Sequence, residues 1–212
     1  MDVVVVGGHG KIARRLLALL ADGGHRARGV IRNPDHAADL EAIGAEPVVC
    51  DLEREDLHDA VAGAGAVVFA AGAGPGSGPE RKRTVDLGGP LKLIDAAKAL
   101  GIARYLMISS MGADAPEQGP EQMQPYLRAK AEADAALAAS GLDFTIVRPG
   151  MLTDEPGVGK VDAAPKLGRR GSIPRDDVAA TLLVALDAPN TIGKTFEELE
   201  GHTPIEEAVR AL

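Results

Sequence analysis

Apolar residues fall into two rhythms along this chain. Short unbroken runs rich in valine and isoleucine alternate with longer stretches in which apolar positions recur every three or four residues. The first rhythm suits strands buried on both faces of a parallel sheet, and the second suits helices with one buried stripe. Strands are predicted over Val3–Val6, Arg26–Ile31, Pro47–Cys50, Ala66–Ala70, Tyr105–Ile108, Phe144–Val147 and Thr195–Leu199. Helices are predicted over Ile12–Leu20, Pro34–Ile43, Asp56–Ala62, Leu87–Leu100, Tyr126–Ser140 and Asp176–Leu186. Such alternation implies a doubly wound, mostly parallel α/β sheet of about six to seven strands with helices on both faces. Residues 1–212 show no internal repeat and no linker long enough to divide them, so one domain is expected.

The first predicted strand runs into Gly7-Gly8-His9-Gly10-Lys11-Ile12-Ala13. This G-x-x-G-x-x-A pattern lies between a valine strand and an amphipathic helix, where a Rossmann fold binds a dinucleotide. Gly7 permits the tight turn, Gly10 lets a pyrophosphate approach the backbone, and Ala13 lets helix and sheet pack closely. The free N–H groups at the start of the helix then face the phosphates. Lys11 either assists or faces solvent.

The ends of the next strands extend the pattern. An NAD site usually carries Asp or Glu at the end of the second strand to hold the ribose hydroxyls. This chain has Arg32 there, suited to a 2′-phosphate, so NADP(H) is expected over NAD(H). Asp51 can accept the adenine amino hydrogens and Leu52 can cover a ring face. Asp51 can also serve as a helix N-cap. Ala70-Ala71-Gly72 keeps the end of the fourth strand small where backbone passes the cofactor, and a glycine-rich loop runs from Gly72 to Gly78.

Charge and composition narrow the partners. The net charge is -8, against nucleic acid as a partner, and aromatics at 2% offer no base-stacking platform. The single cysteine, Cys50, excludes an intrachain disulfide. The five histidines lack metal-ligand spacing, and no apolar stretch is long enough to span a bilayer. A cytoplasmic protein, monomeric or homodimeric, that acts on a small molecule without a metal is expected.

Taken together, the glycine turn, Asp51-Leu52, the Ala-Ala-Gly segment, Tyr126-Leu-Arg-Ala-Lys130 and Phe144-Thr-Ile-Val-Arg-Pro-Gly150 resemble the short-chain dehydrogenase/reductase superfamily. The form of the glycine pattern and the short length resemble its atypical branch, which includes NmrA-like proteins and NAD(P)-dependent epimerase/dehydratase relatives. The resemblance covers nearly the whole chain. It implies that Tyr126 exchanges a proton with a substrate alcohol or carbonyl, with Lys130 stabilising the tyrosinate and holding the nicotinamide ribose. It also implies that Ser110 hydrogen-bonds the substrate oxygen, Ser109 belonging to the strand, and that Pro149 and Gly150 border the nicotinamide.

Tyr126 and Lys130, four apart, leave one helix face. Two features depart from the superfamily pattern. Asp86 stands where an Asn is usual, and the span from Ser110 to Tyr126 is short. The loop from Gly112 to Pro125 is either a substrate lid or plain surface. The segment Thr153–Ile173, with Lys160, Lys166, Arg169 and Arg170, is expected to be a solvated loop, or else a substrate-side flap that attracts an anion. An NADP-dependent oxidoreductase for a small carbonyl, alcohol or sugar-like substrate is the leading reading. An NADP(H)-sensing regulator with a protein partner and a flavin or quinone reductase are the alternatives.

Overall fold

The computed structural model describes residues 1–74 and 76–212. In chain order its elements are β1 (Asp2–Val6), α1 (Lys11–Asp22), β2 (Arg26–Ile31), α2 (Ala37–Glu41), β3 (Glu46–Val49), α3 (His58–Val61), β4 (Ala66–Phe69), α4 (Pro79–Arg81) and α5 (Gly89–Ala99). There follow β5 (Arg104–Ile108), α6 (Gln124–Ala138), β6 (Asp143–Pro149), β7 (Met151–Thr153), β8 (Lys160–Ala164), β9 (Ser172–Pro174), α7 (Arg175–Leu186), β10 (Lys194–Glu200), β11 (Thr203–Pro204) and α8 (Ile205–Arg210).

Nine strands form one sheet in the order β11-β8-β10-β6-β5-β4-β1-β2-β3. All seven predicted strands are present and run parallel to one another in this sheet. The two additional strands, β8 and β11, pair antiparallel at one edge. The six-to-seven-strand expectation falls short because β8 lies inside Thr153–Ile173. Its sequence, Lys-Val-Asp-Ala-Ala, carries one buried residue, Val161, and no apolar run. The expected solvated loop is thus partly a sheet strand, and two further pieces of the same region, β7 and β9, form a small parallel pair beside it.

Two apolar layers sandwich the sheet. One packs Ile12, Leu16, Leu17 and Leu20 of α1 and Val178, Leu182 and Ala185 of α7 on one face. The other packs Leu93 and Ala97 of α5 and Ala133 and Leu137 of α6 on the opposite face. Val3–Val6 are fully buried at the centre. On leaving β1 the chain turns towards β2 and β3, whereas from β4 onward it proceeds the other way. The crevice beyond the carboxyl ends of β1 and β4 is therefore the topological switch point, where such folds bind ligands.

The opposite end of the sheet is closed by Arg104. Its buried guanidinium donates to the Ala185 and Leu186 carbonyls at the end of α7, and to the hydroxyls of Thr145 and Thr191. These bonds occupy helix-end acceptors that would otherwise be orphaned. Among the described residues no helix is long and apolar enough to cross a membrane.

Candidate functional site

The glycine turn has a geometry that only its sequence allows. Gly7 adopts φ 87°, and a Cβ there would lie 2.6 Å from the Ala71 Cα. Gly7 and Gly8 both donate to the Val30 carbonyl, at 3.2 and 2.8 Å, and clamp the turn to the end of β2. Gly10 is the extended N-cap of α1, with no side-chain cap and no acid in the first turn of the helix. The first helical backbone bond runs from Arg14 N–H to the Gly10 carbonyl, leaving the amides of Lys11 and Ile12 ahead of it. An uncapped helix start of positive dipole, reached over a glycine, fits a pyrophosphate. His9 stacks on His36 with ring centroids 3.6 Å apart and contacts Asp39 at 2.8 Å. Lys11 is exposed, and its ammonium meets the exposed carboxylate of Asp154 at 2.5 Å.

At the ends of β2 and β3, Arg32 is exposed and its guanidinium lies 3.4 Å from the Glu53 carboxylate. Glu53 also accepts from the Thr84 hydroxyl at 2.7 Å and pairs with Arg81 at 3.5 Å. Asp51 accepts from the Glu53 amide at 3.0 Å, which orders this short turn. Leu52 is half-buried and packs towards Gly89 of α5, its backbone carbonyl bound by Lys92 at 2.7 Å.

Beyond β4, β5 and β6 opens a cleft of about 1740 Å³. Ala70, Ala71 and Gly72 form one side, Ser110 with Tyr126 and Lys130 another, and Pro149 with Gly150 a third. Packing leaves no room for a side chain at Gly150, since a Cβ there would meet Leu199 at 2.3 Å and the Gly171 carbonyl at 2.6 Å. Ser110 is half-buried and donates to the Met111 carbonyl at 3.2 Å. Ser109 follows the last residue of β5, Ile108, and its amide still bonds the Val147 carbonyl at 2.7 Å. The Lys130 side chain is 3% exposed. It donates to the Ile108 carbonyl at 3.0 Å and sits 5.8 Å from the centre of the Tyr126 ring and 5.9 Å from that of Phe69.

Asp86 is the fourth member of this group. It lies in a π-type segment, Lys82–Gly88, through which α4 runs on into α5, so the helix predicted from Leu87 begins earlier than the sequence pattern indicates. Its carboxylate is buried, accepts from the Ala73 amide at 3.3 Å and stands 3.7 Å from the Lys130 ammonium. Burial pushes its pKa up from the ordinary value, and the Lys130 charge opposes that rise. The acid found in place of the usual Asn is therefore an ion-pair partner for Lys130.

Residues 7–189 match the family model described as NAD(P)H-binding. The chain belongs to the NAD(P)H-binding family. A Bacillus subtilis (strain 168) relative, named as the uncharacterized sugar epimerase YhfK, is 44% identical over 215 residues covering 100% of both chains. A solved structure from Bacillus halodurans, provisionally described as an NAD-dependent epimerase/dehydratase, has 45% identity and a TM-score of 0.96, with 100% of each chain covered. ChuY from Escherichia coli O157:H7, described as an anaerobillin reductase, has 25% identity and a TM-score of 0.79, covering 94% of this chain and 97% of that one. The resemblance to atypical short-chain dehydrogenase/reductases drawn from the motifs is upheld.

In this NAD(P)H-binding protein the sequence reading missed Glu53, Asp154 and Glu197. Glu53 and Asp154 sit in turns, where polarity does not reveal direction. Glu197 had a signal, since it and Glu198 interrupt the apolar run Thr195–Leu199. Both are buried. Glu197 faces the cleft, takes the Leu167 amide at 2.8 Å and holds Lys166 at 2.9 Å, while Lys166 reaches Asp114 at 2.6 Å. This bridge ties the segment after β8 to the loop Gly112–Pro125.

Proposed function

We propose that the protein is an NADP(H)-dependent oxidoreductase acting on a small carbonyl, alcohol or sugar-like substrate. The observation that carries this reading is the shared cleft of Ser110, Tyr126 and Lys130 at the carboxyl edge of the sheet, next to the uncapped start of α1. Gly7, Gly8, His9, Gly10, Lys11 and Ile12 would hold the pyrophosphate, and Arg32 a 2′-phosphate. Asp51 and Leu52 would take the adenine side, and Ala70, Ala71, Gly72, Lys130, Pro149 and Gly150 the nicotinamide side. The segment 151–175 would be the substrate-side region of a single domain. When bound, the nicotinamide cofactor supplies hydride-transfer chemistry.

The chain's own residues supply the rest. The Tyr126 hydroxyl would pass its proton to a substrate carbonyl oxygen, or, as the tyrosinate, Tyr126 would take one from a substrate alcohol. Ser110 would orient that oxygen by a hydrogen bond. Lys130, fixed by the Ile108 carbonyl and Asp86, would place positive charge beneath the tyrosine ring. Calorimetric titration with NADPH and NADH, followed by a screen of carbonyls, sugars, quinones and flavins, tests the reading. Tighter NADPH binding and a turnover abolished by Tyr126→Phe, with cofactor binding intact, are expected. Full turnover in Tyr126→Phe overturns the role of Tyr126.

A second reading is favoured by the Asp86–Lys130 pair. A carboxylate 3.7 Å from the ammonium offsets the charge that a tyrosinate would need. Reduction of a conjugated ring, as in a flavin or quinone, needs less of that help, and ChuY is described as a reductase. Flavin or quinone reduction retained in Tyr126→Phe supports this second reading.

A further inference from the structure

The chain carries a net charge of -8, yet its cleft is basic. Six cationic side chains line it, those of Lys82, Lys130, Lys166, Arg169, Arg170 and Arg175, against the carboxylates of Asp86, Asp114 and Glu197. Four of the six are held by acids: Lys130 by Asp86, Lys166 by Asp114 and Glu197, Arg169 by Asp162, and Arg175 by Asp154. Among the described residues no carboxylate lies within ion-pair distance of Arg170 or Lys82. The cleft takes in the nicotinamide side of the proposed cofactor site, whereas of the glycine turn proposed for the pyrophosphate only Ile12 lines it, and Arg32 is not part of the lining.

The same cleft exposes apolar surface. Met151 is 71% and Met123 39% exposed, and both face it, one from the β7 side and one from the start of α6. Exposed methionines offer an adaptable wall for a hydrophobic body. A cleft lined by both unpaired cations and exposed methionines suits an anion with an apolar frame.

We propose that the cleft binds an organic anion, its carboxylate or phosphate on Arg170, with Lys82 adding to the positive field of the cleft, and its apolar body on the exposed methionines that line it. This rests on the reading of the cleft as the substrate site, and names the substrate class. The loop expected to be either solvated or an anion-attracting flap then has a defined part: β8 anchors it to the sheet, and Arg170 is the residue it delivers.

Fluorescence titration with 8-anilinonaphthalene-1-sulfonate, with the uncharged N-phenyl-1-naphthylamine as its control, tests the proposal with and without saturating NADPH. The wild type and the Arg170→Gln, Lys82→Gln, double and Lys160→Gln variants are compared, each first shown to keep the wild-type Tm. Lys160 lies on β8, outside the cleft lining. Arg170→Gln should weaken the sulfonate about tenfold and the double variant further, through loss of a charge-assisted contact. The neutral probe should stay within about twofold throughout, and Lys160→Gln should change neither. Unchanged sulfonate binding in the double variant, or an equal loss of both probes, overturns the proposal. Failure of NADPH to bind, with the charge-selective loss retained, overturns the cofactor reading and leaves the anion site standing.

Discussion

Arg32 and Glu53 stand 3.4 Å apart at the ends of neighbouring parallel strands, so the residue suited to a 2′-phosphate is already engaged by a carboxylate. Glu53 is the better-held partner, being bound also by Thr84 and Arg81. A cofactor carrying a 2′-phosphate would bring its charge close to that carboxylate, whereas a ribose hydroxyl could donate to it. Glu53 thus opposes the preference that Arg32 favours.

Glu53→Gln is expected to tighten NADPH several-fold while leaving NADH unchanged or weaker, as removal of a like charge from an exposed phosphate site should. Arg32→Ala should do the reverse. Calorimetric Kd values for both cofactors, at two salt concentrations, check this, and equal effects on the two cofactors would remove both residues as selectors.

Gly7→Ala should cost stability and cofactor together. A methyl at φ 87° is strained, and it would meet the Ala71 backbone at 2.6 Å, where no side-chain rotation brings relief. A loss of roughly 1–3 kcal/mol in denaturant unfolding is expected, with binding of either cofactor impaired. A variant with wild-type stability would show that the turn can re-form around the methyl group.

The parts of this architecture that depend on local pattern were legible in the sequence. Val3–Val6 and the glycine turn announce themselves because burial on both faces forces an apolar run and a positive φ forces glycine. β8 did not, because an edge strand with one buried residue, Val161, leaves no period to read. The candidate site divides in the same way. Tyr126 and Lys130 share a helix face by spacing alone, but the pairing of Lys130 with Asp86 spans the packing of two helices. Charge partners such as Glu53 and Asp154 are chosen by tertiary geometry, which polarity along the chain does not encode.

Lys130→Met should destabilise the fold far more than the loss of one surface charge would, because it leaves the buried Asp86 carboxylate without its cation. Breaking one side of a buried pair typically costs about 3–5 kcal/mol. The double variant Lys130→Met with Asp86→Leu should recover much of that loss. A double-mutant cycle by urea unfolding reads the coupling directly, and additive effects would show that the two charges do not interact.

Glu198 makes stability depend on pH. Its side chain is fully buried beneath α7, where burial pushes its pKa up to about 8 and Asp177 adds to the rise against the opposing Thr181 hydroxyl. The folded chain therefore keeps a proton that the unfolded chain gives up near the ordinary glutamate value of 4.5. Between those two values the native state binds more protons than the unfolded state, so this group lowers stability as pH rises and stops doing so above about 8. Glu198→Gln keeps the shape and removes the titration. The variant should match the wild type in Tm near pH 5 and exceed it by several degrees at pH 8, at roughly 2–4 °C per kcal/mol for a chain of this size. Equal Tm values at both pH values would mean that the Glu198 carboxyl ionises in the folded protein without cost, and that water or a rearranged Thr181 reaches it.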